Sequence, residues 1–168
     1  MKNVLVIGLL VGLAAGAASA QSYPTRKPGL WKQSMNAGGQ TVQSSLCLDA
    51  ATDRRMSAFG QNAGTRSCTR MTVTPAAGGW SFDSVCPIAG GGQIVTKGTA
   101  RGDFNSRYQV KATSVTTGAK VAMMNGTQQM DITSTWAGAC PAGMVPGDMT
   151  MPGGIKVNIL KMTGSATR

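Results

Sequence analysis

Hydrophobic and polar positions alternate along most of the chain after residue 28, at the period of a strand rather than a helix. The clearest case lies in residues 104–115. Phe104, Ser106, Tyr108, Val110 and Ala112 fall on one face, and Asn105, Arg107, Gln109 and Lys111 on the other. One buried face and one wet face is the pattern of an antiparallel sheet. Comparable strand-like runs cover residues 29–35, 41–48, 68–74, 80–86, 93–100 and 127–136. Turn-forming stretches separate them: Asn36-Ala37-Gly38-Gly39, Pro75-Ala76-Ala77-Gly78-Gly79 and Arg101-Gly102-Asp103. Asn125-Gly126 is the strongest hairpin signal and predicts a pair of strands, 120–124 and 127–136, around two positions of positive φ.

One segment reads as helix, residues 52–59, with Thr52 or Asp53 as N-cap and Gly60 as its stop. Residues 141–154 hold three Pro and four Gly and read as loop, and residues 155–162 are expected to add a last strand. The fold class that follows is mostly β: an antiparallel curved sheet, or a small barrel or sandwich, of about eight strands with one short helix.

The first twenty residues follow a different pattern. Met1-Lys2-Asn3 gives a short positive start, Val4 to Ala18 is an unbroken apolar and small-residue run, and Ala18-Ser19-Ala20 is a small-x-small site. This is the layout of a secretory signal peptide cut before Gln21. The apolar core is shorter, and richer in Ala and Gly, than a spanning helix requires. The expected organisation is a signal peptide at 1–20, a single β domain at 21–140 and a loop-rich C-terminal extension at 141–168. Cleavage would leave 148 of the 168 residues, enough for one domain with a sizeable core. Export to the periplasm or medium is the expected destination, with no membrane-spanning segment after cleavage.

Export changes the reading of Cys47, Cys68, Cys86 and Cys140. Four cysteines in an oxidising compartment imply two disulfides, and three connectivities are open. Folding residues 75–79 into a turn sets Cys68 and Cys86 equidistant from it, which favours their pairing and leaves Cys47 for Cys140. A redox or zinc role finds no support, since no Cys-x-x-Cys occurs and no His is present.

Composition narrows the chemistry further. The chain carries sixteen Lys and Arg against six acids, all of them Asp, and neither Glu nor His. Without Lys2 the net charge becomes +9. The basic residues are scattered, so the surplus reads first as a solubilising surface and only second as an attraction for anionic partners. No nucleic-acid partner is expected.

The missing residue types exclude Ser-His-Asp catalysis, and Gly90-Gly91-Gly92 lacks the residues of a phosphate-binding loop. Asp83 and Asp131 are the available acid–base pair, but nothing in their spacing requires it. No catalytic residue and no cofactor is therefore expected. Met144, Met149 and Met151, with Met123, Met124 and Met130, are the one unusual enrichment. Thioethers suit Cu(I), although methionine also fills irregular cores. Arg101-Gly102-Asp103 and the sequon Asn125-Gly126-Thr127 are explained by turns.

The landmarks Lys27-Pro28-Gly29-Leu30-Trp31, Leu46-Cys47-Leu48, Cys68, Trp80 with Cys86, Gly98 with Gly102-Asp103, Tyr108 and Trp136-x-Gly138-x-Cys140 occur in that order. Over residues 25–140 the chain resembles the exported bacterial proteins of domain-of-unknown-function family 3617 (DUF 3617). Lys32 stands where the family usually has Glu. The resemblance implies a bacterial envelope protein with an antiparallel β fold, no established activity and no catalytic residues to carry over. Trp31, Trp80 and Trp136 then read as packing residues. The functional expectation is a non-catalytic structural or binding domain for an anionic or apolar envelope component. A Met-based Cu(I) binder and an Asp- or Cys-dependent enzyme are the rivals.

Overall fold

The computed structural model describes residues 24–59, 68–88 and 90–164. The segment read as a signal peptide and the expected helix stop Gly60 lie outside the described residues. Among the described residues nine strands form one antiparallel sheet. In chain order they are β1 (Gly29–Ala37), β2 (Gln40–Leu48), β3 (Arg70–Ala76), β4 (Gly79–Pro87), β5 (Gln93–Asp103), β6 (Arg107–Thr117), β7 (Gly126–Trp136), β8 (Asp148–Thr150) and β9 (Lys156–Asn158). Helix α1 (Ala50–Phe59) follows β2, and α2 (Ile159–Gly164) follows β9. The strand order across the sheet is β3-β4-β5-β6-β7-β1-β2-β8-β9. Hairpins supply most of this order; the exceptions are β1, which returns from the start of the chain to pair with β7, and β8, which pairs with β2.

The alternation settles which residues share a face. Trp31 lies opposite both Leu46 and Trp136, Tyr108 opposite Ser134, and Trp80 opposite Ala100. All belong to one face, and that face carries the core. Trp31, Leu46, Leu48, Ala100, Phe104 and Tyr108 are buried together, with Met56 of α1, Trp80, Val110, Trp136, Met149 and Ile159 against them. Three ring contacts organise it: Trp31 with Tyr108 at 5.3 Å between centroids, Tyr108 stacked on Phe104 at 4.9 Å, and Phe104 edge-on to Trp80 at 5.2 Å. Such pairs add about 0.5–1.5 kcal/mol each beyond the burial of their area.

Disulfides join Cys47 to Cys140, across 93 residues, and Cys68 to Cys86, across 18. The turn between β3 and β4 is tighter than residues 75–79, because Ala76 pairs with Gly79 and leaves Ala77-Gly78 as the loop. Pro75 is thus inside β3. This strand lies at the edge of the sheet, where a residue without an N–H removes no central ladder bond.

Several expected boundaries move. Arg101-Gly102-Asp103 is not a turn but the end of β5, paired with Gln109, Tyr108 and Arg107. The turn is Phe104 to Ser106, and Asp103 holds it by accepting from the Asn105 N–H at 2.9 Å and the Ser106 hydroxyl at 2.7 Å. The inward alternation of Tyr108, Val110 and Ala112 holds. Residues 120–124 form no strand. They belong to an eight-residue connection in which Ala122–Met124 makes a 3-10 turn, and the partner of β7 on that side is β6.

Helix α1 starts at Ala50, two residues before the expected start. Its cap is Asp49, whose Oδ1 accepts the Thr52 N–H at 2.6 Å. In the C-terminal stretch, β8 falls inside the expected loop, and the expected last strand shortens to β9 before turning into α2.

Candidate functional site

The face opposite the core is polar, and its strands are fixed in register across five neighbours. Asp83 of β4 lies opposite Lys97 of β5, which lies opposite Thr113 of β6, which lies opposite Gln129 of β7. The next row inward runs Ser81, Thr99, Lys111, Asp131 and Asn36. These rows line an open, shallow hollow of about 620 Å³, with Lys97, Thr99, Lys111, Thr113, Gln129 and Asp131 along it and Asn36 at one side. A smaller hollow of about 260 Å³, which shares Lys97, continues it past Asp83 toward Thr72 and Thr74.

The charges in this hollow are partly balanced. Asp83 pairs with Arg70 at 2.7 Å and more distantly with Lys97 at 3.9 Å. Asp131 pairs with Lys111 at 3.4 Å, and both of its oxygens accept from the Gln109 amide, at 2.8 and 3.0 Å. Since Arg70 makes the close contact to Asp83, the Lys97 ammonium extends toward solvent with 72 % of its side chain exposed. The two aspartates stand three strands apart, about 14 Å by strand spacing. That separation and their cationic partners leave them no shared proton, so the sheet does not assemble the acid–base pair named above.

The methionines sit in different surroundings. Met149 packs against the core beside Leu46, Met144 lies near Thr150 with its sulfur 4.0 Å from the hydroxyl, and Met151 is exposed. Met123 and Met124 protrude from the β6–β7 connection. Among the described residues no three His, Cys, Asp or Glu side chains group to hold a metal, and no helix is long and apolar enough to cross a membrane.

Residues 26–140 match the family described as Protein of unknown function (DUF3617). The chain belongs to that family. No curated protein and no solved structure matches it. The first and last of the landmarks that carried the resemblance meet at one end of the DUF3617 sheet. Lys27 places its ammonium 3.7 Å from the centre of the Trp136 ring, and the Trp136 indole N–H donates to the Pro28 carbonyl at 3.0 Å. The Trp31 indole N–H donates to the Lys27 carbonyl at 2.8 Å. Leu30 exchanges backbone bonds with Gly138 and Ala137 at 2.8 Å each. The Lys-Pro-Gly-Leu-Trp and Trp-x-Gly-x-Cys segments are therefore two halves of one clasp.

A second cluster beside the clasp left no local trace in the sequence. The Arg26 guanidinium contacts Asp53 of α1 at 2.5 Å and donates to the Tyr108 hydroxyl at 3.2 Å, while the Arg26 N–H donates to Asp53 at 2.9 Å. Burial works against the arginine's charge, but Tyr108 and Asp53 outweigh it and hold Arg26 above its ordinary range. Both clusters anchor the structure. The hollow shares no residue with either cluster. Its lysines, threonines and Gln129 were visible in sequence only as the wet face of each strand, and the cross-strand register brings them together.

Proposed function

We propose that this DUF3617 protein is an exported, non-catalytic binding domain of the bacterial envelope whose polar hollow holds an acid-bearing, hydroxyl-rich ligand of the glycan type. The observation that carries the reading is that two lysines, two threonines and a glutamine line one hollow on strands locked in register. Donors fixed on a paired sheet lose little freedom when a ligand arrives, so modest contacts translate into binding. Lys97 and Lys111 match carboxylate or sulfate groups, while Thr99, Thr113 and Gln129 match sugar hydroxyls. The signal-like first twenty residues and the two disulfides support export. The non-catalytic part of the reading rests on the lack of His and Glu and on the separation of Asp83 from Asp131.

The test is a titration of the chain with an acidic oligosaccharide at low ionic strength, followed by amide shifts and calorimetry. Saturable binding that moves β5, β6 and β7 amides is expected, weakened about tenfold or more by Lys97→Ala with Lys111→Ala. Both lysines are largely exposed, so the variant keeps its fold. Absence of saturation, or a double variant that binds like the parent, overturns the proposal.

A further inference from the structure

The eight-residue connection between β6 and β7 exposes apolar side chains that the fold does not use. Met123 is 87 % exposed, Met124 54 % and Val121 51 %. An unstructured loop would tuck such groups away or average their positions, but this connection is braced. The Asn125 side chain accepts from the Ala119 N–H at 2.9 Å and donates back to the Ala119 carbonyl at 3.0 Å. The Met124 and Asn125 N–H groups donate to Val121 and Ala122 at 3.0 Å, closing the 3-10 turn. At its base, Gly118 is seated against Gly92 so tightly that a Cβ on Gly92 would lie 2.4 Å from the Gly118 carbonyl carbon. The apolar tip is thus held outward by polar bonds within the connection itself.

The charges around the tip have one sign. Lys120 belongs to the same connection, and its side chain runs past Gly91 of the neighbouring turn. The nearest carboxylates on the strands entering this end, Asp83 and Asp131, stand four and five residues inside β4 and β7. At about 3.3 Å per residue that is about 13 Å or more, beyond the screening length at physiological salt. Asp49, Asp53, Asp103 and Asp148 all belong to the opposite end of the sheet. An apolar tip beside a cation, with acids held away, complements a surface that is anionic outside and apolar beneath.

We propose that the β6–β7 connection seats in the interfacial layer of an anionic phospholipid bilayer, with Val121, Met123 and Met124 among the acyl chains and Lys120 at the headgroups. The inference stands apart from the ligand of the polar hollow and survives if that ligand is never found. It is tested on the full chain, isotope-labelled, against bilayer discs containing phosphatidylglycerol and a nitroxide-labelled lipid, with pure phosphatidylcholine discs for comparison. Broadening is expected to centre on residues 119–125, to exceed that of the Phe104 to Ser106 turn at the opposite end, and to require the anionic lipid. Met123→Asp is expected to weaken the loop's contact about tenfold or more, and Met123→Leu to preserve it. Broadening centred elsewhere, including on the chain start, or a Met123→Asp protein that contacts lipid like the parent, overturns the proposal.

Discussion

Arg26 and Asp53 are 27 residues apart in sequence and in direct contact, with Asp53 only 1 % exposed. Truncating one partner strands the other's charge away from water, which typically costs about 3–5 kcal/mol, whereas replacing both with apolar groups often costs little. Arg26→Met is therefore expected to lower unfolding stability by about 3 kcal/mol. Arg26→Met with Asp53→Leu should recover most of that loss in the same urea titration. Gly29 carries a different constraint. Its φ is +131°, and a Cβ would lie 2.2 Å from the Gly138 carbonyl oxygen and 2.6 Å from the Trp136 indole nitrogen. The Lys-Pro-Gly-Leu-Trp segment was legible as a landmark, but its reason was not, because the atoms that demand the glycine belong to a segment 107 residues further on. Asp53 was misread as a cap on the same ground: local pattern offers a capping role to any aspartate near a helix start, and Arg26 is invisible at that range.

The long strands were the most legible elements, since alternation in β5, β6 and β7 depends only on which face is wet. Connections were less so. Asn125-Gly126 has the composition of a two-residue turn, yet Asn125 sits at a φ of −78° and uses its amide to tie the loop to Ala119. The better partner for β7 was already on hand in β6, whose ten paired positions outweigh any short strand that residues 120–124 could supply. The C-terminal elements failed for a related reason: three-residue strands carry too little pattern to register. Among the elements, β3 is held by its single neighbour β4 and by the Cys68–Cys86 link. Replacing both cysteines by Ser is expected to cost about 3 kcal/mol from the loop closed. Hydrogen exchange should rise in Arg70–Ala76 while β6 and β7 stay protected. Equal loss of protection in all three would show that the link supports the whole sheet rather than its edge.

At the scale of the molecule, the composition simplifies the dependence on pH. With no His and no Glu, Asp is the side-chain type that titrates below neutrality. Three aspartates are held below the usual carboxylate range: Asp49 first by the Thr52 side chain, Asp103 first by the Asn105 N–H, and Asp148 first by the Val145 N–H, helped by Asn158 and nearby lysines. A depressed native value means that the unfolded chain takes up the proton first. The contribution is complete above the unfolded value of about 3.9 and is lost as pH falls through the native ones. The urea midpoint is therefore expected to stay level from about pH 5 to 7 and to fall below about pH 4. Asp103→Asn and Asp148→Asn should flatten that fall, and a midpoint that drops already at pH 6 would contradict the assignment. The joining of β1 to β7 within the sheet was the least legible feature at this scale, because nothing in either strand names a partner some hundred residues away.

The two rims of the sheet bear on how the chain behaves in company. One rim is β3, where Pro75 interrupts the row of amide hydrogens and a disulfide pins the strand at Cys68. The other is β9, three residues long before the chain bends into α2. A fibril grows by offering each newcomer a long, regular edge to copy. Here one edge is broken by an imino acid and the other ends on a strand of three residues, and both features work against edge-to-edge growth.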